Sequence, residues 1–320
     1  MAVPETQQGW RVVRQGLPSK ALAFQTFPVP KIRDGEVLKK TALNPVGYKL
    51  MQLLPNLFSH RPHVAEHDFT GIIVDAGSSN YKVGDAVLGF IPVPTQQKNG
   101  QGALAQYVSV STGYIVPRPP SLVATQAAGL SLAGVTAYLA IAQFLDVESG
   151  QHILINGGSS SVGSLAIRSP RRGCNVTASC STANIDLVKD LGADEFHGIF
   201  DCVGNTPLLF LRSPAYLAPS GKFISTGPSM DKLSQFRVLY GTWFKLLCGL
   251  VGWAVYPGTM SETIVGLTSI DKCLSEITKL VNDGQLRPLV DSVHSFDEVL
   301  NAYDRIITRR AKGKVVVTIN

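Results

Sequence analysis

Over residues 1–120 the apolar positions come in short runs broken by glycine, proline and Asp-Ala-Gly turns. WRVVRQG (10–16), GEVLKKTAL (35–43), FTGIIVDAG (69–77), VGDAVLGFIP (83–92), ALAQYVSV (103–110) and YIVPRPP (114–120) each read as a strand. Their spacing predicts a partly closed antiparallel β domain. Pro117, Pro119 and Pro120 end it, because proline cannot continue a hydrogen-bond ladder.

From Ser121 the pattern changes to helical spacing in TQAAGLSLAGVTAYLAIAQFL (125–145). Then strands and helices alternate: the strand HILIN (152–156), a glycine-serine turn and a helix, the strand CNVTASC (174–180), the helix ANIDLVKDLGAD (183–194), and the strands GIFDCVG (198–204) and GKFISTG (221–227). That alternation implies parallel strands joined by crossovers, hence a doubly wound α/β sheet over 121–266. The tail carries a helix, IDKCLSEITKLVNDG, the strand-like LVDSV, a second helix, FDEVLNAYDRIITRR, and a closing strand, KVVVTI. We expect residues 267–320 to return to and complete the first domain.

The turn in ILINGGSSSVG (153–163) is the chemically informative point. A strand that stops at small residues and opens a helix aims backbone N–H groups and the positive helix end at one spot, which suits a pyrophosphate. Gly158 and Gly163 have P-loop spacing, but Ser164 stands where the phosphate-gripping lysine belongs. A hydrolase elbow fails too, since neither Gly157 nor Gly158 has glycine four positions later. What remains is a degenerate dinucleotide fingerprint, with Gly157 for the tight turn, Ser160 in the middle glycine place and Gly163 where helix meets strand. Gly158, Ser159, Ser161 and Val162 complete the expected cradle. At the end of the next strand, where an acidic residue would read a ribose 2′-hydroxyl, stand Ser179, Cys180, Ser181 and Thr182. Uncharged hydroxyl donors there favour NADP(H) over NAD(H), and the same serines also read as a helix cap.

Composition narrows the class without changing it. With 45% hydrophobic and 16% charged residues the chain has material for a large core. The net charge of +6 is spread thinly, with no basic stripe interleaved with aromatics, so nucleic acid is not an expected partner. Five scattered cysteines with no CxxC pair point to reduced thiols and a cytoplasmic location. Residues 238–258 hold Lys245 as their only charge, yet Gly249, Gly252 and Pro257 interrupt them, which argues against a spanning helix. We expect a buried element or subunit interface there, with peripheral membrane contact as the second reading.

Several ordered motifs together carry a resemblance: NPVGYK (44–49), EHDFTG (66–71), KVGDAVLGF (82–90), GALAQYV (102–108), AAGLSLAGVTAYLA (127–140), GGSSSVGSLAI (157–167) and RAKGKVVVTI (310–319). Nearly the whole chain resembles the medium-chain dehydrogenase/reductases, and within them the zinc-independent quinone oxidoreductase and enoyl reductase branch. The resemblance implies a GroES-like substrate domain, a Rossmann domain, an active site between them, NADPH as hydride donor and a homodimer. It implies an enone, enoyl or quinone substrate, a polar contact from Asn44, and Val203 and Thr226 among the cofactor-binding residues. Lys49 resembles the lysine of some fungal trans-acting enoyl reductases that serve polyketide synthases, so a role as polyketide-pathway partner also follows. In this reading Lys49 steadies an enolate or a carrier phosphate and Tyr48 supplies the proton. The zinc-dependent branch has cysteine where Asn44 stands, so no metal is expected. None of the nine tyrosines has lysine four positions later, which excludes the short-chain dehydrogenases.

Two departures from that family bear on activity. Only His197 and Gly198 separate Phe196 from Ile199, too few for a parallel crossover, so the sheet should lack one strand-helix unit near the adenine side. Ser169-Pro170 falls two turns into the helix after the glycine turn and should stop or kink it near Arg168. These departures motivate an alternative: a degenerate member without redox turnover, acting as a scaffold or in a rearrangement or cyclisation on the same fold.

Overall fold

The computed structural model describes residues 3–39, 51–52, 61–146, 148–168, 173–179, 196–203, 208–225 and 270–319. The chain divides into two compact units, one formed by residues 1–136 with 268–320 and the other by 137–267.

The first unit is built from small sheets. β1 (Thr6–Val12) and β2 (Leu22–Pro28) form an antiparallel pair around the short helix α1 (Pro18–Ala21). β3 (Glu36–Lys39) follows, then β4 (His63–Val64), which pairs with β1. Beyond it come β5 (Asp68–Ile72), β6 (Ala86–Phe90), α2 (Val93–Asn99), β7 (Val108–Ser111) and β8 (Ile115–Pro117). β3 pairs with β7, and β5, β6 and β8 form a three-stranded sheet, all antiparallel. The expected antiparallel domain is present, with β2 and β4 added. Those two alternate weakly or are too short to register as periodic runs.

The helical stretch expected over 125–145 divides into α3 (Ala124–Ala128), α4 (Ser131–Tyr138) and a π-helical turn, Leu139–Leu145. Gly129 stands between the first two, pressed against the Lys314 side chain, which a Cβ there would meet at 2.5 Å.

The second unit carries β9 (His152–Asn156), α5 (Ser161–Arg168), β10 (Asn175–Ser179), β11 (Phe196–Asp201), α6 (Leu208–Arg212) and β12 (Leu217–Ser225). The four strands are parallel in the order β10-β9-β11-β12. The helix after the turn has Arg168 as its last described residue, directly before Ser169-Pro170. Phe196–Asp201 is one continuous strand, so the two strands the family would place there are one. β10 and β11 flank β9 on opposite sides, and residues 180–195 connect them. That length accommodates a single crossover, not a helix, a further strand and a second helix. Among the described residues β10 is therefore the edge of the sheet.

The remaining elements belong to the first unit: α7 (Ile270–Asn282), β13 (Val290–Ser295), α8 (Val299–Ile307) and β14 (Lys314–Thr318). Val299, Ala302, Tyr303 and Ile306 form the buried stripe of α8 and pack with Val12, Leu22, Val64, Leu104, Val315 and Val317. A helix with apolar residues three and four apart has one face to bury, and this core receives it.

Candidate functional site

Among the described residues, one cluster of buried polar side chains lies in each unit. The first is the turn after β9. Gly157 has φ +85°, a conformation that side chains resist, and an added Cβ there would sit 2.4 Å from Val203 Cγ2. At Gly163 an added Cβ would lie 2.2 Å from the Gly157 carbonyl oxygen, so glycine is what lets α5 approach β9. The roles expected of the first and last glycines of the fingerprint therefore have a steric basis here. Ser160, in the middle place, caps the helix: its hydroxyl accepts the Gly163 N–H at 3.0 Å, and its own N–H goes to the Gly157 carbonyl at 2.9 Å.

The Ser179 carbonyl accepts both the Gly157 N–H (2.9 Å) and the Gly158 N–H (2.7 Å). The N–H groups of Ser159, Ser161 and Val162 have no acceptor among the described residues. These half-buried donors are the groups left over to meet an anion at the helix start.

Beneath the turn, the last residues of three strands interlock. The Ser179 hydroxyl donates to Asn156 Oδ1 at 2.6 Å, Asn156 Nδ2 donates to Asp201 Oδ1 at 2.9 Å, and the Val203 N–H reaches the same oxygen at 3.0 Å. Ser179, Asn156 and Asp201 are all buried. Ser179 thus supports the turn, with both its hydroxyl and its carbonyl engaged. The sequence signal for Asn156 and Asp201 is slight: each is the polar last residue of an apolar strand. Ser181, Thr182 and Thr226 lie outside the described residues, as do Asn44, Tyr48, Lys49 and the segment 238–258.

The second cluster is the segment Glu66–Asp68 at the start of β5. Glu66 has φ +68°, is fully buried and accepts the Tyr303 hydroxyl of α8. Asp68, also fully buried, accepts the Lys314 ammonium at 2.7 Å and the Leu132 N–H at 2.8 Å. His67 lies between them with no exposed surface; its Nδ1 is 2.8 Å from the Ile91 carbonyl oxygen, so Nδ1 carries the proton and donates it. Its Nε2 has no partner among the described residues. Burial lowers the imidazole pKa, against the Ile91 hydrogen bond and the Asp68 charge, which raise it.

A family model described as zinc-binding dehydrogenase matches residues 177–317. Among the curated proteins, the chain is 27% identical over 357 aligned positions to the trans-enoyl reductase pgmF of Aspergillus terreus, covering 99% of this chain and 98% of that one. It is 30% identical over 325 positions to a chloroplastic quinone-oxidoreductase homolog of Spinacia oleracea, covering 93% and 94%. The chain belongs to the medium-chain dehydrogenase/reductase superfamily. A solved mycobacterial protein in complex with NADPH superposes with a TM-score of 0.75 at 20% identity, over 97% of this chain and 99% of that one, which supports the shared fold.

Membership makes zinc and a nicotinamide cofactor the groups to test against the residues present. For zinc, no three His, Cys, Asp or Glu side chains cluster to hold an ion among the described residues. Asp68 is already committed to Lys314 and Leu132. A dinucleotide fits better: the turn offers three N–H groups with no acceptor among the described residues, and glycine at 157 and 163 lets Val203 and the start of α5 close onto the turn.

Proposed function

We propose that this protein is an oxidoreductase that reduces a carbon–carbon double bond conjugated to a carbonyl, or a quinone, with NADPH and without zinc. The observation that carries the reading is the turn at 157–163, where Ser159, Ser161 and Val162 present unpaired N–H groups at the start of α5. NADPH, when bound, supplies the hydride. The work of the chain is to hold the pyrophosphate on those N–H groups, to keep Val203 against Gly157 beside it, and to orient the electron-poor carbon. The preference for the 2′-phosphate rests on the uncharged Ser181 and Thr182. Asn44 as polar contact, Tyr48 as proton donor and Lys49 as enolate partner remain assignments from family likeness.

The relatives' names support both substrate types, a trans-enoyl reductase on one side and a quinone-oxidoreductase homolog on the other. A homodimer and a role in a polyketide pathway are extensions of the same likeness. Among the described residues no helix is long and apolar enough to cross a membrane. The described cysteines 174, 202 and 273 form no disulfide, in keeping with the cytoplasmic reading.

A second reading, a member without redox turnover, is favoured by the strand order, in which β10 is the edge of the sheet among the described residues. Titration with NADPH and NADH, followed by nicotinamide fluorescence and melting temperature, separates the two. The expected result is NADPH binding tighter than NADH, followed by NADPH oxidation with an enone or quinone. Absence of binding by either nucleotide supports the second reading.

A further inference from the structure

His67 is built as a hydrogen-bond acceptor with nothing to accept. Its Nδ1–H is spent on the Ile91 carbonyl, which leaves a lone pair on Nε2. That nitrogen is buried and has no hydrogen-bond partner among the described residues. A second polar atom close in the fold is in the same condition. The Ser131 hydroxyl is fully buried without a partner, one residue before Leu132, whose N–H binds Asp68 beside His67. Around them the polar groups are matched: Asp68 with Lys314, Glu66 with Tyr303. The backbone at Glu66 adopts a left-handed conformation that costs free energy for a residue with a side chain. Unpaired buried polar atoms beside a strained residue mark a place where the fold has given up stability, and such places cluster at ligand sites.

We propose that His67 Nε2 accepts a hydrogen bond from a hydroxyl group of the ligand, and so selects hydroxylated enones or the hydroquinone form of a quinone over analogues without the hydroxyl. This rests on the reductase reading above. A neutral imidazole protonated on Nδ1 has no proton to give from Nε2, so His67 is the acceptor in the contact and another group protonates the product. Lowering of the imidazole pKa by burial keeps it in this form at neutral pH. Nε2 is covered in this state, so the hydroxyl must arrive on a ligand that displaces what covers it. A site made to pair with a hydroxyl discriminates strongly against the analogue lacking one, because the acceptor is otherwise left buried and unpaired.

The test uses two matched pairs on the full chain: hydroquinone against 1,4-dimethoxybenzene, and a hydroxycyclohexenone series against cyclohexenone. Binding is measured by titration with and without NADPH, and the His67 ring nitrogens are followed by 15N NMR. The expected result is binding about tenfold or more tighter for the hydroxylated member of at least one pair, with a shift of the Nε2 resonance that the partner compound does not produce. The pair that responds identifies the source of the hydroxyl. His67→Gln, which keeps an acceptor, should retain part of the preference, and His67→Leu should abolish it. Equal affinity within both pairs, or an Nε2 signal unmoved by any of the compounds, overturns the proposal even if His67→Leu fails to fold. NADPH oxidation with no hydroxyl preference would defeat this inference and leave the reductase reading intact. A hydroxyl preference in a chain that does not bind NADPH would do the reverse.

Discussion

The strand ends beneath the glycine turn and the segment Glu66–Asp68 both bury polar side chains, and they settle the cost in opposite ways. Under the turn every polar group meets another: Ser179 to Asn156, Asn156 to Asp201, Asp201 to the Val203 backbone. The unpaired groups are backbone N–H donors on the half-buried rim, where water or an anion can take them. In the β unit the polar groups are deeper and only partly matched. Asp68 and Lys314 neutralise each other, whereas His67 Nε2, the Ser131 hydroxyl and Lys39 Nζ are left over. A closed network positions the backbone above it; an open one either waits for a ligand or subtracts from stability. His67 and Lys39 illustrate the two cases. The first is a neutral acceptor beside a strained turn. The second is an amine facing the Phe69 ring at 4.7 Å, fully buried on β3.

The comparison breaks most visibly if the matched charges are unmatched. Lys314→Met leaves the Asp68 carboxylate buried against a single N–H, and removing one partner of a buried pair costs about 3–5 kcal/mol. Denaturant unfolding should show that loss, and Lys314→Met combined with Asp68→Leu should recover part of it. If Lys314→Met alone unfolds like the parent, the pair contributes nothing and the contrast fails.

A smaller loss is expected at the closed network. Asp201→Ala removes the acceptor of both Asn156 Nδ2 and the Val203 N–H, for about 1–3 kcal/mol. Because Val203 packs on Gly157, NADPH affinity should fall together with stability. Loss of stability without any change in NADPH binding would detach the network from the turn.

Lys39 should give the smallest effect and the opposite sign. Burial, with Arg118 adding repulsion, holds its amine well below the ordinary 10.5. In the unfolded chain the amine stays protonated up to about that ordinary value, so the unfolded state binds the extra proton and stability rises with pH between the folded pKa and 10.5. Lys39→Met should raise stability by about 1 kcal/mol at neutral pH and flatten that rise. An unchanged pH profile in the variant would mean that Lys39 is not held neutral in the core.

Part of the candidate site could be read along the chain. The strand, turn and helix at 152–168 are local, and their hydrophobic period and small residues lie within one stretch. The merging of two strands at Phe196–Asp201 followed from counting, since two residues cannot hold a crossover. The cap role of Ser160 could have been read as well, because serine three residues before the Gly163 N–H is a local signal. The networks were not legible. Asn156, Ser179 and Asp201 meet only because three parallel strands end in register, and nothing in HILIN or GIFDCVG announces it.

By itself, then, the order of residues determined the two architectures, the strand-turn-helix at 152–168 and the single strand at Phe196–Asp201, because periodicity, turn chemistry and loop length act over a few neighbours. Which polar groups would be satisfied was decided by the tertiary structure. Lys314 reaches Asp68 across 246 positions and Tyr303 reaches Glu66 across 237, so their pairing exists only after β14 and α8 have packed. The same packing leaves His67 Nε2 and Lys39 Nζ buried without a hydrogen-bond partner among the described residues. Burial turns an ordinary lysine or histidine into a costly one, and burial is a property of the assembled fold.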